Sequence, residues 1–403
     1  MNILAKSSLF FYFYFLSPSG SQMMTIKFLN FSCKLWIPFF FFYANFAYSQ
    51  ASNCPTPVRM QAQPQGGVHA VLRFTGDLVL GNAHAVENIP KEWESEYFAG
   101  VEDYLRLADA TIGNLEGAMT DFNQSSKQSI PGRSYAFRYP PSYGPLLKKV
   151  GFQALHIANN HSGDFGERGF SDTLEHLNNA QIVPIGIKGE IAYITIKGLK
   201  IGLVGFGFYQ RNNTIHDLVT ASKLVAKARE QSSYVIATFH GGGEGDAFVV
   251  QPNKDEIFLN ENRGNSVAFA RSVIDSGADL VVGHGPHVLR SVECYKGKPI
   301  FYSLGNFISV GGLSIRNLAS VTAIAGVQLN YKSQLVGIEF LPLVFNERKV
   351  PKIDDRDFAS HLINSLANKA LYAGDFLKMP ASVDNEAAFT SWFNTIVKTP
   401  HKP

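Results

Sequence analysis

From about residue 68 the chain alternates short apolar runs, rich in Val and Ile, with amphipathic stretches, and this alternation constrains the fold more than any other feature. Runs too short for a helix, each followed by helical spacing, predict an α/β fold with helical crossovers. Strands are expected at 70–74, 110–112, 154–157, 182–185, 201–205, 235–239, 280–282 and 300–302. Several lack polar alternation, so both sheet faces are expected to be covered. Helices are expected at 170–180, where Phe170, Leu174 and Leu177 share a face, at 220–231 and at 266–276. Residues 318–343 read as an antiparallel hairpin turning at Lys332-Ser333-Gln334. The tail carries two helical patterns, Phe358/Leu362/Leu366 and Phe389/Phe393/Ile396/Val397, which predict a packing appendage.

The first 50 residues stand apart: they hold 11 of the 32 Phe, no acid, and only Lys6, Lys27 and Lys34 as charges. A basic start, an apolar run at 35–47 and the small-residue exit Ala47-Tyr48-Ser49 predict a leader over 1–49, cut after Ser49. Met23 and Met24 make 1–22 a candidate upstream extension that is not translated. The run falls short of the ~18 apolar residues that cross a bilayer, and an uncleaved anchor is the alternative. Export to the periplasm or cell envelope is therefore expected. The Pro-rich stretch 50–67 is read as a linker, 68–345 as the main domain and 346–403 as a C-terminal helical extension.

Without the three leader lysines, 33 basic residues face 33 acidic ones, a balance that argues against nucleic acid as a partner. Beyond the leader only Cys54 and Cys294 remain, a pair compatible with an oxidising compartment without amounting to a disulfide framework. Two cysteines cannot build a sulfur-rich metal site, so any ion would be held by His, carboxylate and Asn.

Five of the expected strands end in polar clusters: Thr75-Gly76-Asp77, Gly113-Asn114-Leu115-Glu116, Ala158-Asn159-Asn160-His161, His240-Gly241-Gly242-Gly243-Glu244 and Gly283-His284-Gly285-Pro286-His287. Parallel strands open their carboxyl ends onto one edge, so two carboxylates, an amide and up to four imidazoles are expected on one rim. That mixture suits one or two divalent ions, Mn, Zn or Fe rather than Mg or Ca, and metal-assisted hydrolysis. His69, His84, His156, His176, His216, His361 and His401 lack this placement and are read as surface or packing residues.

Together with Tyr302-Ser303-Leu304-Gly305-Asn306-Phe307, these motifs make residues 68–345 resemble the CapA family of capsule and poly-γ-glutamate biosynthesis proteins. The resemblance implies a metallophosphoesterase-like sandwich of two mixed β-sheets flanked by helices, followed by the C-terminal helical appendage. It implies Asp77, Glu116, Asn160, His240, His284 and His287 as metal ligands and His161 as general acid, with Asn114, Glu244, Arg263 and Asn306 toward the substrate. One departure stands out: the phosphoesterase pattern begins Asp-x-His, and here Val79 occupies the His position.

Turn-forming roles for Asp77 and for Gly305-Asn306 remain open, and 246–264 is either a lid or a solvated loop. Three functions fit. The first is an exported hydrolase of a cell-surface polymer or its precursor. The second is a non-catalytic accessory subunit that binds polymer or a membrane synthase. The third is an extracytoplasmic nucleotidase-like phosphoesterase.

Overall fold

The structure is a computed structural model that describes residues 53–64, 66–81, 95–127 and 135–398. The expected leader, its cleavage point and untranslated extension, and His84 and His401 lie outside the described residues. All eight expected strands are present, most of them longer than the apolar runs that signalled them.

Two mixed sheets face each other. The first runs Pro57–Arg59, Leu335–Phe345, Val321–Leu329, Ala70–Leu78, Ala110–Leu115, Phe152–His156, Val183–Ile185, with Asn306–Ile308 paired to Ala70–Leu78 and Pro351–Ile353 paired to Leu335–Phe345. The second runs Val292–Tyr295, Lys298–Phe301, Leu280–His284, Tyr234–His240, Leu199–Phe206, Ala192–Ile196. Leu72, Phe74 and Ile112 of the first pack with Leu203, Ile236 and Val282 of the second. The outer face of the first sheet buries Leu147 and Leu177 of the helices Tyr143–Lys149 and Gly166–Asn179. The outer face of the second buries Val225 and Val273 of Leu218–Gln231 and Ser266–Asp275. Burial on both faces explains why these strands show no polar alternation. This is the two-sheet sandwich with flanking helices that the resemblance implies.

The hairpin is Val321–Leu329 with Leu335–Phe345, and it lies inside the first sheet, antiparallel to Ala70–Leu78. Pro57–Arg59, within the expected linker, pairs with Leu335–Phe345. Just before it Cys54 is bonded to Cys294, two positions that no local pattern pairs. In the tail, Phe358–Asn368 sends Phe358, Leu362 and Leu366 into the core between the sheets, where Phe389 and Ile396 join them. Among the described residues no helix is long and apolar enough to cross a membrane.

Candidate metal centre

Strand parity aims the side chains. Ala70, Leu72 and Phe74 face the second sheet, and unbroken alternation would turn Asp77 away from it. A register shift between Phe74 and Asp77 resets the phase, so Leu78 joins the outer cluster and Asp77 turns inward. Gly76 makes the bend: a Cβ there would sit 2.0 Å from the Gly305 carbonyl oxygen, which accepts from the Asp77 amide at 3.0 Å. On the next strand Ala110, Ile112 and Asn114 keep a period of two that Glu116 continues. Across the sandwich His240 and His284 end neighbouring parallel strands. His287 follows with φ 58, a left-handed conformation uncommon outside glycine and frequent at functional sites.

These residues converge. His284 Nδ1 lies 3.2 Å from Asp77 Oδ1, and His287 Nδ1 lies 3.1 Å from Asp77 Oδ2. His287 Nε2 and His240 Nε2 each lie 3.5 Å from Glu116 Oε1, with His161 Nε2 at 3.9 Å. One ligand atom each from Asp77, Glu116 and His287 fall within 4.8 Å of one another. Atoms bonded to one ion at about 2.0–2.3 Å can be no farther apart than that, so the spacing fits a shared cation.

Unspent polar atoms test that fit. Asp77 Oδ2, Glu116 Oε1, Asn160 Oδ1, both ring nitrogens of His240 and Nδ1 of His284 are buried without a hydrogen-bond partner. His287 Nδ1 is near Asp77 Oδ2, but its hydrogen bond goes to Asn306 Oδ1 at 3.0 Å. A folded chain rarely leaves so many buried polar atoms unpaired in one place, and nitrogen, amide and carboxylate oxygens together form a donor set for a borderline divalent ion.

The electrostatics agree. Burial resists ionisation of Asp77, yet His284 and His287 hold it well below the usual carboxylate range. Burial, with Asp77 nearby, pushes Glu116 up to about 7. Burial opposes charge on His287 too, but Glu116, Asp77 and Glu244 outweigh it and raise the imidazole to about 10. Burial lowers His240 well below its ordinary value, leaving it neutral.

A second layer orients the first. Asn114 Nδ2 donates to Asp77 Oδ1 at 2.8 Å, and Asn159 Nδ2 donates to Asn114 Oδ1 at 2.9 Å and to the Leu115 carbonyl. Asn159 Oδ1 accepts from the His161 amide, so Asn160 and His161 occupy a turn tied to the Asp77 strand. His161 Nδ1 faces Asp164 Oδ2 at 2.8 Å, and Lys127 Nζ reaches Asp164 Oδ1 at 2.5 Å. His156, read as a packing residue, is buried behind the centre, stacked on His284 and bonded to Thr238. Asn159 belongs to the polar cluster after its strand but is assigned no role by the sequence, and Lys127 is not singled out by it. The place of Asn159 in the cluster after the Phe152–His156 strand marks it, whereas nothing local marks Lys127.

The other expected site residues sit around this core. Asn306 begins a strand in register with Asp77. Glu244 Oε2 lies 3.9 Å from His287 Nε2. Arg263 is nearly buried, holding Glu244 at 2.8 Å and Glu261 at 2.9 Å beneath the Phe208 ring. The 246–264 stretch is pinned at Glu256, which is buried and takes both arms of Arg290, while 253–255, Ile257 and Leu259 are exposed. Val79 packs among the outer apolar residues and offers the centre nothing.

The family model described as "Bacterial capsule synthesis protein PGA_cap" matches residues 71–310. The PGA biosynthesis protein CapA of Bacillus subtilis (strain 168) is 30% identical over 281 residues, covering 65% of this chain and 68% of that protein. The capsule biosynthesis protein CapA of Bacillus anthracis is 28% identical over 254 residues, and the match covers 59% of each chain. Among solved structures, a 5'-nucleotidase precursor from Thermus thermophilus aligns with a TM-score of 0.38 at 13% identity, covering 74% of this chain and 58% of that one.

Proposed function

The chain belongs to the bacterial capsule synthesis protein family, and from that premise we infer that it is an exported protein acting on an acidic cell-surface polymer, or its precursor, through a divalent-metal hydrolytic centre. The observation that carries this reading is the buried group Asp77, Glu116 and His287, surrounded by unpaired ligand atoms. Asp77, Glu116 and His287 would hold one ion, with His240 and His284 beside them as further donors and the buried, unpaired Asn160 Oδ1 on the adjoining turn. One or two ions of the Mn, Zn or Fe class suit the imidazoles.

A bound ion would supply Lewis acidity and a water acidified toward neutral pH. The chain's own residues do the rest. Asp164 holds the Nδ1 side of His161 and leaves Nε2 facing Glu116, so Nε2 is the ring atom placed to exchange a proton with a departing group at the centre. The Asn114–Asn159 relay keeps the Asp77 carboxylate from rotating. The Arg290–Glu256 pair holds the 246–264 stretch close to the glycines after His240, through the Gly243 amide and carbonyl.

Export is supported by the leader composition and by the Cys54–Cys294 bond, since such bridges persist in oxidising compartments. A membrane synthase is the partner expected beside the polymer. One observation favours a second reading, an accessory subunit without catalysis: Val79 leaves the centre one donor short of the phosphoesterase pattern. Metal analysis of protein purified without a metal-affinity tag, with phosphoester and γ-glutamyl hydrolysis assays on the same sample, tests the proposal. Near-stoichiometric metal with turnover supports the hydrolase, whereas no metal, or metal without turnover, overturns the hydrolase and supports the accessory reading.

A further inference from the structure

A cleft of about 350 Å³ opens beside the turn that carries Asn160 and His161, lined by Lys127, Asn160, Gly163, Tyr209 and Arg211. Arg211 comes from the segment after the Leu199–Phe206 strand, on the opposite sheet from the turn. Its Nη2 donates to the Asn159 carbonyl at 3.2 Å and to Ser162 Oγ at 3.1 Å. Its Nη1 lies over Gly163, where a Cβ would sit only 1.6 Å from that nitrogen. The absence of a side chain at 163 is therefore what lets the guanidinium dock against the turn. Among the described residues no acceptor takes the donors on Nε and Nη1. Arg211 also has no carboxylate partner there, while Lys127 is spent on Asp164.

Arg211 is exposed, and a planar cation docked on the turn that carries His161, with unspent donors, can recognise an oxyanion through paired hydrogen bonds. We propose that Arg211, seated by Gly163, binds a carboxylate or phosphate of the chain whose neighbouring bond is presented to the Asp77–Glu116–His287 group. The inference rests on the proposed function for what the anion belongs to, not for where the anion binds. Tyr209, whose hydroxyl donates to Glu261, lines the same cleft.

The test uses two probes, a γ-linked glutamate oligomer and inorganic phosphate, titrated into the full chain with and without Mn and followed by calorimetry. Arg211→Gln is expected to weaken the recognised probe by about tenfold or more, the cost of losing charge-assisted hydrogen bonds. Gly163→Ala should do the same, because its methyl displaces the flexible end of Arg211. Mn affinity should stay at the parent value in both variants. Preference for the oligomer identifies a carboxylate polymer, and preference for phosphate identifies a phosphoester. Unchanged affinity for both probes in both variants overturns the inference, as does a parallel loss of Mn affinity, which would make Arg211 a brace for the turn. A parent that binds anion but no metal would sink the hydrolytic reading while leaving this site standing.

Discussion

His240 and His284 are register partners on adjacent parallel strands, so two imidazoles emerge at the same height on the second sheet, facing Glu116 and Asp77 on the first. The centre is thus split between sheets: carboxylates on one side of the sandwich, imidazoles on the other. Its integrity depends on the sheets staying packed, and its affinity on each donor separately.

His287→Ala is expected to weaken Mn or Zn binding by more than about 100-fold, beyond the loss typical for a residue that only supports a ligand. His176→Ala, on the helix Gly166–Asn179 away from the centre, should bind as the parent does. Calorimetric titration of both, with circular dichroism to check folding, decides the matter. Parent-like affinity in His287→Ala would remove this residue from the ligand set.

Metal affinity should climb with pH. A ligand imidazole must be neutral to bind, and His287 stays protonated until about pH 10, so an entering ion displaces its proton. Affinity then rises by about tenfold per pH unit through neutrality. Below about pH 7 Glu116 holds a second proton and the slope steepens. His240, already neutral, and Asp77, already ionised, add nothing. Calorimetry in buffers of different ionisation heat counts the protons released, and a flat profile from pH 6 to 9 would contradict the arrangement.

Gly76→Ala should cost stability and metal binding together. The new methyl meets a backbone oxygen at 2.0 Å, which cannot swing aside, so the bulge that aims Asp77 must open. A loss on the order of 1–3 kcal/mol is expected from such overpacking. Denaturant melts and metal titration on the same sample check it. Full metal affinity would mean that Asp77 does not depend on the bend.

Glu256→Gln strands the Arg290 charge in a site where neither side chain meets solvent. Breaking a buried pair in this way costs about 3–5 kcal/mol. Proteolysis of the 246–264 stretch should accelerate in the variant, and an unchanged cleavage rate would show that the stretch is held elsewhere.

Replacing both Cys54 and Cys294 by Ala should lower stability by about 2–5 kcal/mol, because the bond closes a long loop and fastens the Pro57–Arg59 edge strand beside it. Metal affinity should not move. A melting temperature equal to the parent's would indicate that the bond adds nothing to the folded state.

What the sequence determined by itself was the order of strands, the crossover helices and the polar clusters that end them. Each is written locally, in runs of a few residues whose burial and period admit one element. It also carried Asp77, Glu116, His240, His284 and His287 as rim residues, since a parallel strand delivers its last residues to a common edge. Tertiary structure decided the rest. The bulge that turns Asp77 inward depends on Gly305, far along the chain, approaching Gly76. Lys127 and Arg211 reach the Asn159–Gly163 turn from segments with no motif of their own. The Cys54–Cys294 bond and the Glu256–Arg290 pin join positions whose meeting no local pattern announces. Periodicity records which way a side chain faces within its own element, whereas the partner across a cleft is chosen by how two sheets pack, and that information is spread over the whole core.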